Sequence, residues 1–365
     1  MDLMSVTGSY QELSKKYNKF GAPTIEIVVG SQKLVSGAKL SITELEVELT
    51  CGYEASGCSF RIEGCYEAKK TDFSSETDAI QIGEKVEVKI GYIRTETVFK
   101  GYINQIDYEF GTLDSRAAIR VECMDAKGVL MKTRRLEVFP QKKVDALVNA
   151  ILGEQPVSSY LSGKEVDASD ELDPAFRSNM KTDYEIIREQ AEKLGYEFFI
   201  LQGKAYFRKK EKVTSPIMTL SPREGILDAR LSLSGQSLVK TIEVRSIDQE
   251  SGKMVKGEAA ISGKFSKGSS GNKLLGKSRQ VYYEAGVRDA GEAKSRATAR
   301  MEEIKNQFGQ MECSCVGLPE LGPGRFVKIK DLSKTADRSY YIVYVRHCLN
   351  TDGFRTYFKA RMKSL

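Results

Sequence analysis

The strongest constraint on this chain is the period-two alternation of its C-terminal segment. Residues 315–329 (CVGLPELGPGRFVKI) lead into 339–347 (SYYIVYVRH) and then 353–360 (GFRTYFKA). Val327 and Ile329 alternate with Lys328 and Lys330, a rhythm that gives a strand one buried and one wet face. Gly322, Pro323 and Gly324 punctuate a turn, and Asp352-Gly353 closes a last hairpin. The pattern predicts a small antiparallel meander.

An earlier stretch has the same layout. Residues 83–90 (GEKVEVKI) parallel 324–329: a turn glycine, then apolar residues alternating with charged ones. Each is followed by a polar excursion and a hydrophobic strand, at 98–103 (VFKGYI) and 340–345 (YYIVYV). Further alternating strands at 118–123 and 356–362 complete both units. Two topologically similar antiparallel barrels in one chain are expected, diverged beyond a simple repeat.

The C-terminal segment resembles, piece by piece, the end of the phage late-control protein D family. These are baseplate hub proteins of contractile tails, related to the hub half of the type VI secretion spike. The resemblance rests on Gly317-Leu318-Pro319, on Pro323-Gly324, on the aromatic strand with Tyr341 that ends near His347, and on Gly353 to Thr356 as a Gly-x-x-Thr hairpin. A second block lies upstream. Thr182-Asp-Tyr184-Glu185 opens a helix as a capping box, Gly195 ends it, and a hairpin follows with its turn at Gln202-Gly203. That order is similar to the α/β insertion hub proteins carry between their barrels.

The expected class is therefore β-rich α+β, with two antiparallel β-barrel domains and an α/β insertion. Residues 1–22 read as an amphipathic helix or arm ahead of the first barrel, with Tyr10, Leu13, Tyr17 and Phe20 at helical spacing. Residues 23–130 read as the first barrel and 131–215 as the insertion. Residues 216–365 read as the second barrel, whose first strands fall at 229–234 and 238–245. Within it, 251–278 is expected to be a flexible Gly/Ser/Lys-rich loop and about 289–308 a helix, N-capped by Asp289 with Ala293, Ala297, Met301 and Ile304 on one face.

Composition narrows the function. Apolar residues make up 41% and charged residues 29%, ordinary for a globular protein. No apolar run approaches the roughly 18 residues of a membrane span, and the N-terminus lacks a signal-peptide layout. Cytoplasmic synthesis and reduced thiols are expected for the seven cysteines, which include no Cys-x-x-Cys pair. With one histidine, His347, a His-rich metal site cannot be built, and the reading for it is structural. A net charge of +6, dispersed along the chain, does not mark a nucleic-acid groove. The basic run 208–212 (RKKEK) reads as a solvated hairpin end.

One motif tempts a different conclusion. Residues 271–278 (GNKLLGKS) fit the P-loop expression, with Gly271, Gly276, Lys277 and Ser278 in its fixed positions. A P-loop needs a buried strand before it and a helix after it, so that backbone N–H groups wrap phosphate. Here a polar stretch precedes, and residues 279–283 (RQVYY) read as strand, so the match is taken as chance. Asp167, Asp170, Glu171 and Asp173 form an acidic cluster with nothing apolar around it to raise a carboxyl pKa, and read as a solvated loop.

The resemblance implies a non-enzymatic baseplate hub without cofactor or metal: a homotrimer joining a spike or needle protein to the inner tube or its initiators, and contacting wedge proteins. It implies assembly in the cytoplasm and residence in a phage tail, tail-like bacteriocin or injection system. Three copies of two barrels give six equivalent positions, which suits a junction between three-fold and six-fold parts. Puncturing or lytic modules are expected on a separate polypeptide. The rival readings are a nucleotide-binding protein, for which Lys277-dependent ATP binding is the discriminator, and a peripheral receptor-binding tail protein.

Overall fold

Strand Ser41–Thr50 shows how the alternation is used: Leu45, Val47 and Leu49 are buried while Glu44 and Glu48 face outward. The computed structural model describes residues 2–111, 117–169, 178–248 and 251–365. Most strands join one 13-stranded sheet. The first set, in spatial order, is Thr24–Val29, Lys85–Gly91, Thr95–Glu109, Ala118–Met124, Gly57–Glu63 and Ser41–Thr50. The second is Pro216–Leu220, Phe326–Ile329, Ser339–Asn350, Gly353–Met362, Gly309–Val316 and Ile226–Leu233. In both sets the strands occur along the chain in the same relative order, so the internal repeat is real at the level of topology.

The repeat extends to single residues. Gly83 (φ +89°) and Gly324 (φ +84°) occupy matching turns that need a left-handed backbone. Gly83 N donates to Ile103 O at 2.9 Å and Ile103 N to Glu84 O at 2.9 Å. Gly324 N donates to Ile342 O at 2.9 Å and Ile342 N to Arg325 O at 2.8 Å. One residue later each central strand bulges, at Asn104 and at Val343. The outermost strands bulge too, at Thr43 and Leu227. The sets differ at the other end: Thr24–Val29 pairs antiparallel with its neighbour, whereas Pro216–Leu220 pairs parallel.

The β-rich α+β class stands, and the two expected barrels are two strand sets of one continuous sheet. Ser339–Asn350 of the second set pairs antiparallel with Ser41–Thr50 of the first. One hydrophobic core runs through both sets. A second core fills the insertion, where helices Val144–Gly153 and Asp183–Leu194 cover the sheet Gly163–Val166, Lys204–Lys209 and Tyr196–Leu201. Helix Asp183–Leu194 opens with the reciprocal Thr182–Glu185 capping box, buries Tyr184, and ends on left-handed Gly195 (φ +67°).

Three expectations are corrected. The strand expected at 238–245 in the second barrel is Thr241–Ile247 in a separate sheet, between Met254–Ala260 and Arg279–Tyr283. Residues 251–278 are not simply a loop: they contain strand Met254–Ala260 and the short helix Ser270–Leu275. That strand was hidden because small residues form its inner face. Gly257 lies so close to helix Ala290–Lys305 that a Cβ there would sit 2.1 Å from Lys294 N. The N-terminal arm, expected ahead of the first barrel, bridges both strand sets. Its helix Tyr10–Lys16 is followed by Tyr17, whose hydroxyl donates to Glu320 at 2.6 Å, while Lys16 pairs with both Glu96 (2.7 Å) and Glu320 (3.1 Å).

Val88 and Val327 are fully buried in matching strands of the repeat, and Lys89 and Lys328 are only half-buried. Val88→Asp or Val327→Asp strands a carboxylate in the core and should cost several kcal/mol, on the order of the whole stability. Lys328→Ala should cost under about 1 kcal/mol. Urea unfolding of the three variants checks this; Asp variants as stable as Lys328→Ala would refute the shared strand assignment.

Candidate assembly interface

Strand Ser339–Asn350 carries two ladders on one edge. Its first residues pair with Phe326–Ile329, through Lys328↔Ser339, Val327↔Tyr340 and Phe326↔Tyr341. At the Val343 bulge the strand changes partner, and Tyr344↔Thr50 through Leu349↔Leu45 join it to the first set. Cys51 N donates to the Val343 carbonyl at 3.0 Å, closing the switch. This joint is where most of the family-motif residues gather.

On its buried face Val345 and His347 lie opposite Leu49 and Val47. His347 Nδ1 is 2.9 Å from Thr356 Oγ1, which accepts from Leu318 N at 2.9 Å. The hydroxyl thus links the imidazole to the Leu318 N–H, with the Leu321 backbone also close to the ring. Burial pushes the His347 pKa down to about 4. Gly317 is held beside it: a Cβ there would strike the Phe354 ring at 2.1 Å, and its carbonyl accepts from Tyr92 at 3.0 Å. Gly353 (φ +101°) turns the chain into Phe354, whose ring lies 5.9 Å from the imidazole. Pro319 begins the short run to buried Glu320.

A second cluster lies under the other half of the joint. Arg208 Nε donates to Glu197 Oε1 at 2.9 Å, and its Nη2 donates to the Gly324 carbonyl, next to Pro323, at 2.7 Å. Tyr341 Oη stands 2.7 Å from both carboxylate oxygens of Glu197. Burial raises the Glu197 carboxyl above its usual range, although Arg208 and Tyr341 pull against it. The cluster ties the insertion hairpin to the second strand set. Nearby, Arg325 is buried with backbone acceptors only, donating to the carbonyls of Leu3 (3.3 Å), Met4 and Ser215 (3.4 Å). An open cleft of about 800 Å³ separates the insertion from the joint, lined by Glu48, Cys51, Tyr184, Glu197, Tyr341 and Arg361.

The expected solvated basic run is thus corrected at its first residue. Arg208 is 1% exposed, because the two-residue turn Gln202-Gly203 sets it directly across the hairpin from Glu197. Hairpin register was the signal that could have found the pair. Thr182 and Gly195 cap their helix away from the joint, while Tyr184 reaches it through the cleft. In the P-loop look-alike, Gly271 lies in helix Ser270–Leu275, and Gly276, Lys277 and Ser278 lead into strand Arg279–Tyr283. The order is helix then strand, the reverse of a phosphate cradle, and Ser278 Oγ accepts from Lys240 N at 2.9 Å. Asp167 pairs with Lys212; Asp170, Glu171 and Asp173 lie outside the described residues. Among the described residues no group of three or more His, Cys, Asp or Glu could hold a metal ion, and no helix is long and apolar enough to cross a membrane.

Comparison with known proteins follows the same outline. A family model, the Alg8 N-terminal domain, matches residues 24–351. The chain belongs to the Alg8 N-terminal domain family. The match starts with the first sheet strand and spans the insertion and nearly all of the joint. No curated protein matches the sequence. Among solved structures, the 43 kDa tail protein of prophage MuSo2 from Shewanella oneidensis is similar at TM-score 0.72 and 12% identity, over 93% of this chain and 98% of that one. A tail protein from Neisseria meningitidis MC58 gives TM-score 0.71 and 12% identity over 94% and 97%. An E. coli component of the type VI secretion system gives 0.54 and 12% over 88% and 73%. The resemblance to the baseplate hub family therefore holds for the fold of this chain.

Two predictions follow from these clusters. Arg208→Met leaves the Glu197 carboxylate buried without its cation and should cost about 3–5 kcal/mol, while Arg208→Met/Glu197→Leu should recover most of that. Equal losses in single and double variants on urea unfolding would refute the pairing. For His347, an unfolded chain takes up a proton near pH 6.5 and the folded one only near 4. The stability it contributes is full above pH 6.5 and lost as pH falls toward 4. That loss amounts to about 2 kcal/mol between pH 7 and pH 5. His347→Gln should remove this part of the pH dependence, read from unfolding curves at the two pH values.

Proposed function

We propose that this chain is the structural hub of a contractile injection particle, a homotrimer that joins a central spike to the six-fold inner tube. The observation that carries the reading is the repeat itself. One chain supplies two strand sets with the same strand order, the same turn glycine and the same bulges, so three chains supply six near-equivalent positions. The solved structures of similar fold, described as tail proteins and as a type VI secretion component, support a place in such machinery.

In this reading residues 23–130 and 216–365 are the two ring-forming domains, and 131–215 is the insertion braced against them. The spike, the inner tube or its initiator, and wedge proteins are the partners. Assembly takes place in the cytoplasm and the product resides in the baseplate. The work is geometric and not catalytic: the buried polar clusters are built into strand joints, where their partners are neighbouring strands and the insertion hairpin. Native mass spectrometry of the full chain, alone and co-expressed with a spike protein, should give a trimer. A stable monomer under both conditions would refute the hub assignment.

A further inference from the structure

Of the seven cysteines in the chain, the sheet brings two face to face. Strand Gly57–Glu63 pairs antiparallel with Ala118–Met124, and in that ladder Cys58 lies directly opposite Cys123. Both belong to the core and are almost closed to solvent. They stand in one row across the sheet, Val47–Cys58–Cys123–Ile103. No other two cysteines are ladder partners among the described strands. Cys313 and Cys315 share a strand and face Phe358 and Thr356, while Cys348 faces Glu46 and Arg355. Cys51 and Cys65 lie beyond the ends of their strands.

The spacing of the two strands suits a bond. Asp125 N donates to the Ser56 carbonyl at 2.9 Å, so the ladder exchanges hydrogen bonds at Ser56–Asp125 and again two residues on, at Cys58–Cys123. Cα atoms of such a pair are about 5.5 Å apart, within the roughly 4.4–6.8 Å that a disulfide spans. Their Cβ atoms stand about 5.5 Å apart and a disulfide needs about 4.5 Å or less, so closure draws the strands together by about 1 Å. Slack for that shift lies beside the pair, because the strand that faces Cys123 through Ile103 bulges at Asn104. Burial pushes the Cys58 thiol up, as does the neighbouring Cys123, and burial raises Cys123 as well. Thiols held this way carry little thiolate near neutral pH and stay reduced against weak oxidants.

We infer that Cys58 and Cys123 are a redox modification site, forming a reversible disulfide across the first strand set when the folded protein meets a peroxide. One thiol reduces the peroxide, taking one oxygen as a sulfenic acid while one water leaves. The second thiol attacks that sulfur; the S–S bond forms and the sulfenic oxygen leaves as a second water. Two thiols lose two electrons together, and the peroxide gains them. The bond closes a loop that contains strands Lys85–Gly91 and Thr95–Glu109. Two residues away, the Asp125 carboxylate accepts from Ser56 N at 3.1 Å, and buried Lys127 holds the carbonyls of Gly52 (3.0 Å) and Glu54 (2.8 Å). The staple therefore fixes the strand that starts just after the Cys51 contact with Val343. It does not depend on the trimeric reading.

Mass spectrometry of the full chain tests the site. After treatment with hydrogen peroxide and alkylation in denaturant, two of the seven thiols should escape labelling, and a non-reduced digest should join the Cys58 and Cys123 peptides. Dithiothreitol should restore both thiols. Thermal unfolding of the oxidised protein should move up by several degrees, since the bond restricts the unfolded chain. Cys58→Ala and Cys123→Ala should each abolish the link and the peroxide-dependent rise. Refolding from urea in a glutathione redox buffer serves as the second arm, because it removes the barrier of access to buried thiols. It should give the same linked pair. Links between other cysteines only, oxygen retained on Cys58 or Cys123, or seven free thiols after both treatments would overturn the inference.

Discussion

The architecture depends on one strand, Ser339–Asn350, serving two neighbours along a single edge. A strand can do this only if its hydrogen-bonding direction is re-aimed part-way, and the Val343 bulge does so. Before the bulge the strand belongs to the second set; after it, to the ladder that holds the first. Because the side-chain period is two, a slip of one residue would turn His347 and Val345 outward and Arg346 into the core. The hydrogen bonds among His347, Thr356 and Leu318 oppose that slip, since a displaced imidazole would leave buried polar atoms unpaired.

Much of this was legible from the residues. Alternation at Val86, Val88, Val327 and Ile329 located matching strands, because a half-wet strand must place apolar side chains at every second position. Thr182 and Gly195 marked a helix whose capping box and left-handed terminus are both present, since caps are local chemistry. What escaped was long-range or carried by small residues. Nothing local says that Ser339–Asn350 will pair with Ser41–Thr50, nearly a chain length away. Strand Met254–Ala260 went unread because its inner face is Val255, Gly257 and Ala259, too small to register as an apolar stripe.

The candidate interface was read only in part. Gly317, His347, Gly353 and Thr356 were singled out, and they meet in one place, because Gly317 can lie against Phe354 only without a side chain. Glu197, Arg208 and Arg325 were missed. Charged residues in a hairpin look solvated until the register shows which of them face inward. Arg325 gives no warning even then, because its partners are carbonyl oxygens of Leu3, Met4 and Ser215.

The N-terminal arm has a mechanical consequence. Lys16 reaches Glu96 of the first strand set and Glu320 of the second, and Arg325 grips the backbone at Leu3 and Met4. The two sets are therefore fastened along two separate lines, the sheet joint and this strap. A body hinged along one line can fold about it, but one fastened along two resists bending and torsion together. Under load applied to either set, the chain therefore responds as one stiff block.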